Sequence, residues 1–166
     1  WTYDITVPAG VRTLALNFRG TAGQVKNLKV LQPGYSLASY PTFTNDYLSL
    51  LRNLSPNVLR FMDWAHVNNN TTANWADRPK TTDATMAKVV VAGDLQPAKG
   101  IAWEYIVQLA NTLHTNVWIS VPAHATDDYV RQLATLLKNG LASDLKIYLE
   151  YSNEVWNGPF RQFNQN

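Results

Sequence analysis

Two hydrophobic periods divide the chain. Up to residue 31 the apolar positions alternate: Tyr3, Ile5 and Val7, then 13–18, then 25–31. Pro8-Ala-Gly10 and Arg19-Gly-Thr-Ala-Gly23 separate these runs. Period two broken by turn residues is hairpin chemistry, so three short antiparallel strands are expected over 1–31. Pro33-Gly34 marks a boundary, and the period then changes. Tyr47, Leu48, Leu51 and Leu54 fall at helical spacing, with Thr44 or Asn45 placed to cap. The run 58–62 reads as a short buried strand, and 67–100 as a long irregular stretch. A helix is expected over 101–114, where Ala102, Tyr105, Ile106, Leu109 and Leu113 form one apolar stripe. Strand 116–121 follows, then a helix over 127–139. That helix would be capped by Thr126 or Asp127 and stopped at Gly140. The last strand is 145–151.

Strand, helix, strand, helix, strand in this order implies parallel pairing through crossovers. Polar residues then take on positional meaning. Each strand is apolar along its length and turns polar or aromatic at its C-terminal end. Arg60, Asp63, Trp64 and His66 follow the first strand, His124 the second, and Asn153 and Glu154 the third. In a parallel sheet those ends lie on one rim, where α/β proteins build their sites.

Composition narrows the classes. Apolar residues are 46% and charged residues 16%, a globular balance. The net charge of +2 gives no attraction for nucleic acid or an anionic membrane. No apolar run reaches the length of a membrane span, and Trp1-Thr-Tyr-Asp reads as mature sequence. The absence of cysteine removes disulfides, thiolate metal sites and cysteine nucleophiles together. Six Trp and eight Tyr, with frequent Asn, suit a sugar: flat faces for its C–H surfaces and amides for its hydroxyls. Gly93, Gly100 and Gly158 form no phosphate loop. Asn69-Asn-Thr71 and Asn70-Thr-Thr72 are glycosylation sequons in a eukaryotic secretory setting.

If strand alternation continued past residue 151, Glu150, Ser152 and Glu154 would share one face. A carboxylate partly withdrawn from water at the rim can hold a proton near neutrality, as protonation of a glycosidic oxygen requires. Glycoside hydrolysis needs a second carboxylate, roughly 5–5.5 Å away for retention and 6.5–9.5 Å for inversion. Glu150 is too far along an extended strand, about 13 Å from Glu154. Asp63 is the other candidate within the chain. A metal site from Asp63, His66 and His124 would be the rival chemistry, although no HxxxH-type spacing supports it. His114 ends a helix and reads as a capping residue.

The segments Val58-Leu-Arg60, Ile119-Ser-Val-Pro-Ala-His124 and Ile147-Tyr-Leu-Glu-Tyr-Ser-Asn-Glu154 resemble strands two, three and four of the clan A glycoside hydrolases. The resemblance covers roughly 43–160. It implies Glu154 as the general acid/base and Asn153 as the residue that holds the sugar's 2-hydroxyl. It also implies Arg60 beside the nucleophile and His124 against the sugar. Trp64, Trp75 and Trp156 are the candidate ring-stacking residues. The fold so implied is an α/β parallel half-barrel of TIM type over 34–166. It would be preceded by an antiparallel β segment over 1–33, read as the end of a carbohydrate-binding β-sandwich, with 25–31 alternatively serving as the first barrel strand. The clan's nucleophile lies on strand seven. The expectation is therefore an incomplete barrel, inactive by itself, whose second half is further sequence or another chain. No cofactor is implied. The expected protein is a secreted or cell-surface bacterial enzyme acting on a β-linked polysaccharide with retention; a non-catalytic carbohydrate-binding or surface protein is the alternative.

Overall fold

The computed structural model describes residues 3–11, 17–68, 70–83, 86, 89–91, 94–96 and 99–165. These fall into two compact units, Trp1–Pro41 and Thr42–Asn166.

Among the described residues of the first unit the expected turns form but the expected strands do not. Val11 N–H donates to the Pro8 carbonyl at 3.3 Å, and Gln24 N–H to Thr21 at 2.8 Å. The one ladder element among the described residues of this unit is a single bridge between Ser36 and Ser39. Tyr3, Ile5, Val7, Phe18, Val25, Leu28 and Val30 are all exposed. Alternating apolar residues favour strands only where a partner and a covering layer bury one face, and among the described residues of this unit these side chains are exposed. The antiparallel segment is thus corrected, apart from 13–16, which lie outside the described residues.

The second unit opens with α1 (Asn45–Leu54), capped by Thr44, whose hydroxyl accepts from Tyr47 N–H at 3.3 Å. It closes on Ser55 in the left-handed region. Strand β1 is Val58–Arg60; β2 (Val89–Val91) and β3 (Asp94–Gln96) form an antiparallel pair inside the stretch expected to be irregular. Helix α2 (Trp103–Leu113), strand β4 (Asn116–Val121), helix α3 (Asp127–Gly140) and strand β5 (Ile147–Tyr151) complete the order. Thr126 caps α3 through Tyr129 N–H. α3 ends at Gly140, its last helical residue, with Leu141 as the cap. A Cβ on Gly140 would meet Val107 of α2 at 2.9 Å, so glycine also permits the close approach of the two helices. His114 takes the left-handed cap of α2, and its Nε2 faces Asp144 at 2.9 Å on the surface.

The sheet is β1-β4-β5 with both pairs parallel; Arg60 pairs with Trp118, and Ser120 with Glu150. Odd positions of β4 point to the core: Val117 and Ile119 are fully buried and Val121 nearly so. They pack with Ile106, Leu109 and Ala110 of α2 and Tyr129, Leu133 and Leu137 of α3. Each fully buried Ile or Leu contributes about 1.5–3 kcal/mol. Trp103 Nε1–H donates to Tyr129 Oη at 2.8 Å across the two helices.

The half-barrel expectation does not hold. The parallel sheet has three strands, and residues 25–31 belong to the first unit and add none. Ile147, Leu149 and Tyr151 of the edge strand β5 are 42–63% exposed; among the described residues no α-helix follows β5, only the 3-10 turn Arg161–Gln165. The architecture is a small mixed α/β layer of three parallel strands backed by helices. Among the described residues no helix is long and apolar enough to cross a membrane.

Candidate functional site

The even positions of the three strands face away from the helical core and carry a connected polar network. Arg60 Nη2 donates to Glu150 Oε2 at 2.8 Å and Oε1 at 3.1 Å, and to Asn153 Oδ1 at 2.8 Å. Trp118 Nε1–H and the Ser120 hydroxyl both donate to Glu150 Oε2, at 2.9 and 3.1 Å. The guanidinium lies 4.9 Å from the Trp118 ring centroid. Parallel register produces this directly, since Arg60 stands opposite Trp118 and Ser120 opposite Glu150.

Burial by itself would push the Glu150 carboxyl up. Hydrogen bonds from Arg60, Ser120 and Trp118, with the charge of Arg60, outweigh it and hold the group below the usual carboxylate range. Glu150 is an ionised anchor. It was set aside in the sequence as too distant to be the partner of Glu154, and nothing in spacing announced Trp118 or Ser120 as its donors.

Beyond β5 the alternation stops. Ser152 N–H still donates to the Val121 carbonyl at 2.8 Å, but Ser152 has φ 52° and Glu154 φ 43°. Two left-handed residues separate Asn153 from Glu154 in direction: Asn153 is 3% exposed, whereas Glu154 is an exposed residue. The shared face of Glu150, Ser152 and Glu154 is therefore not found, nor is the burial expected at the Glu154 carboxylate. That carboxylate accepts from Asn157 Nδ2 at 2.8 Å. Trp156, two residues on, is 73% exposed.

Asn153 is held from three sides. Besides Arg60 at its Oδ1, its Nδ2 donates to Asn68 Oδ1 at 3.0 Å, and its backbone carbonyl accepts from Gln162 Nε2 at 2.7 Å. Asn68 and Gln162 were not singled out in the sequence; their only signal is polar type in segments flanking strand ends.

The remaining candidates separate. Trp64 lies in an aromatic group with Phe43, Tyr47 and Phe61, at centroid distances of 5.6–6.4 Å, and packs against the core. Trp75, on a 3-10 turn (Trp75–Asp77), meets Tyr129 edge-on at 5.2 Å and carries Arg78 4.0 Å from its centroid. Arg78 in turn pairs with Glu104 at 2.7 Å. Both tryptophans are engaged in packing. His124 and Asp63 are exposed, and His66 is half-buried with φ 47°. Among the described residues no group of three His, Cys, Asp or Glu side chains comes together to hold a metal. Asn69 and Gly93 lie outside the described residues.

Chemically, the rim offers an ionised, saturated carboxylate beneath a fixed arginine, a clamped asparagine, and an exposed carboxylate beside an exposed tryptophan. Compared with family models, with curated proteins and with solved structures, the chain matches none.

Proposed function

We propose that this chain supplies the proton-transferring part of a site that hydrolyses O-glycosidic bonds in a β-linked polysaccharide or oligosaccharide, with retention. Glu154 protonates the departing oxygen and then deprotonates the incoming water. Asn153 sets the geometry beside it, Arg60 fixes Asn153, and Trp156 offers a ring face to the sugar. The nucleophilic carboxylate comes from outside this chain, and no cofactor takes part. A polymer outside the cell is the substrate class that best suits a carboxylate and a tryptophan standing open on the surface.

What supports this reading is one arrangement: the Arg60–Asn153 hydrogen bond links the end of β1 to the residue directly before Glu154. The reading also keeps the resemblance of the 58–60 and 147–154 segments to clan A glycoside hydrolases. A second reading, sugar binding without turnover, is favoured by the state of Glu150: the carboxylate richest in donors is ion-paired and cannot give up a proton.

The test uses the intact protein on β-linked glucans, xylan and mannan. Glu154→Gln should lower turnover by roughly 10²–10⁴, with polysaccharide binding retained. Full activity in that variant would sink the mechanism. Tight binding with no turnover by the unaltered protein would establish the second reading instead.

A further inference from the structure

The turn that carries Glu154 is conformationally costly. Ser152 and Glu154 both occupy the left-handed region, φ 52° and 43°, without being glycine. Something must hold it. Ser152 contributes only its backbone, since its fully buried hydroxyl makes no hydrogen bond. The restraint lies in three side-chain amides. Gln162 Nε2 donates to Asn68 Oδ1 at 2.8 Å and to the Asn153 carbonyl at 2.7 Å. Asn153 Nδ2 donates to the same Asn68 oxygen at 3.0 Å. An amide nitrogen has two hydrogens and an amide oxygen two lone pairs, so the Gln162 nitrogen and the Asn68 oxygen are both saturated within the cluster.

The point of attachment matters more than the number of bonds. The Asn153 carbonyl belongs to the peptide plane whose nitrogen is that of Glu154. Fixing that carbonyl fixes the rotation of the plane, and so restricts ψ of Asn153 and φ of Glu154 together. Arg60 holds the other side of Asn153, and Asn157 holds Glu154 from beyond, through its N–H on the Glu154 carbonyl at 2.9 Å. Gln162 and Asn153 are 2% and 3% exposed, so water does not compete for these bonds.

We propose that Asn68 and Gln162 are positioning residues that set the direction of the Glu154 carboxylate through Asn153. This rests on the reading of Glu154 as the acid/base. The substitutions are Gln162→Met, which keeps the side-chain length without its donors, and Asn68→Ala, which removes the shared acceptor. In the intact protein each should lose on the order of 10- to 100-fold in kcat on glycosides with poor leaving groups, through misplacement of the acid. Dinitrophenyl glycosides need little protonation, so their first step should change by no more than about 3-fold. The double variant should be little worse than either single one. Equal losses on both substrate types would overturn the proposal, and so would unfolding of both variants, since the pair would then support the fold at large.

A second readout does not depend on activity. The three-bond HN–Hα couplings and ¹³Cα and ¹³Cβ shifts of Ser152 and Glu154 report φ directly. They should indicate left-handed backbone in the wild type and lose that signature in Gln162→Met. Unchanged values in the variant would overturn the clamp. A changed turn in a protein that cleaves no glycan would instead leave the clamp standing and remove the acid/base reading.

Discussion

Arg60→Met tests whether the polar face is an energetically coupled unit. The substitution keeps much of the apolar stem over Trp118 and deletes the guanidinium. It removes two hydrogen bonds to Glu150 and one to Asn153. A hydrogen bond to a charged group contributes about 1.5–3 kcal/mol where water is excluded. Here the two side chains are 38% and 27% exposed, which places the pair nearer the surface limit of about 0–1 kcal/mol. Glu150 also keeps its Trp118 and Ser120 donors, so the remaining charge is not left bare. Adding ~0.5 kcal/mol for the lost cation–π contact and about 1 kcal/mol for the part-buried hydrogen bond to Asn153, the expected destabilisation is about 2 kcal/mol. In urea the midpoint should fall while the slope stays constant. A double-mutant cycle with Glu150→Gln should return a coupling of about 1 kcal/mol. A change within about 0.5 kcal/mol, or a coupling indistinguishable from zero, would refute the reasoning.

Glu150 has a folded-state pKa below its ordinary value of 4.5. Its contribution is therefore fully present above about pH 4.5 and lost as pH falls through the folded-state value, where the unfolded chain binds more protons. Urea midpoints measured between pH 7 and pH 3 should show Glu150→Gln converging on the wild type at the acid end; a constant gap would contradict the assignment. Gly100 has φ +87°, and an added Cβ would lie 2.5 Å from the Ala65 carbonyl. Gly100→Ala should thus cost more than about 3 kcal/mol by thermal unfolding, through strain and backbone collision together, and a loss under ~1 kcal/mol would show that the 64–66 turn yields easily. Thr126→Ala removes the α3 cap and should cost about 1 kcal/mol, read as a lower urea midpoint, with no loss telling against a role for that hydroxyl.

The helices and the order of the parallel strands were legible because their signals are local. Thr44 and Thr126 announce caps, and the stripe through Ala102, Ile106 and Leu109 announces a buried face. Strand order placed Arg60 and Asn153 on one rim, but the hydrogen bond between them was not foreseen, since Arg60 was expected beside the nucleophile. Other features depend on information that spacing does not carry. The opposition of Ser120 and Glu150 is a matter of register between strands 30 residues apart, so the role of Glu150 was missed. The turn at 152–154 has no glycine to flag its left-handed residues, and extending the alternation through it misdirected Glu154. The run 25–31 has the composition of a strand, but among the described residues it forms no ladder. Trp64 and Trp75 show the opposite ambiguity: a tryptophan at a strand end or in a long loop suits a sugar as well as a core, and here Trp64 packs against Tyr47 and Trp75 against Tyr129.

The central claim, that Glu154 moves the proton, is tested most directly by chemical rescue. Glu154→Ala in the intact protein removes the acid and the base but leaves the nucleophile. With dinitrophenyl glycosides the first step should survive, and the glycosyl-enzyme should accumulate because water lacks its base. Azide needs no deprotonation. Adding it should restore turnover and give a glycosyl azide of retained configuration, while Glu150→Gln should show no such rescue. Full activity of Glu154→Ala on the natural polysaccharide, or its inactivity with no azide adduct, would contradict the account.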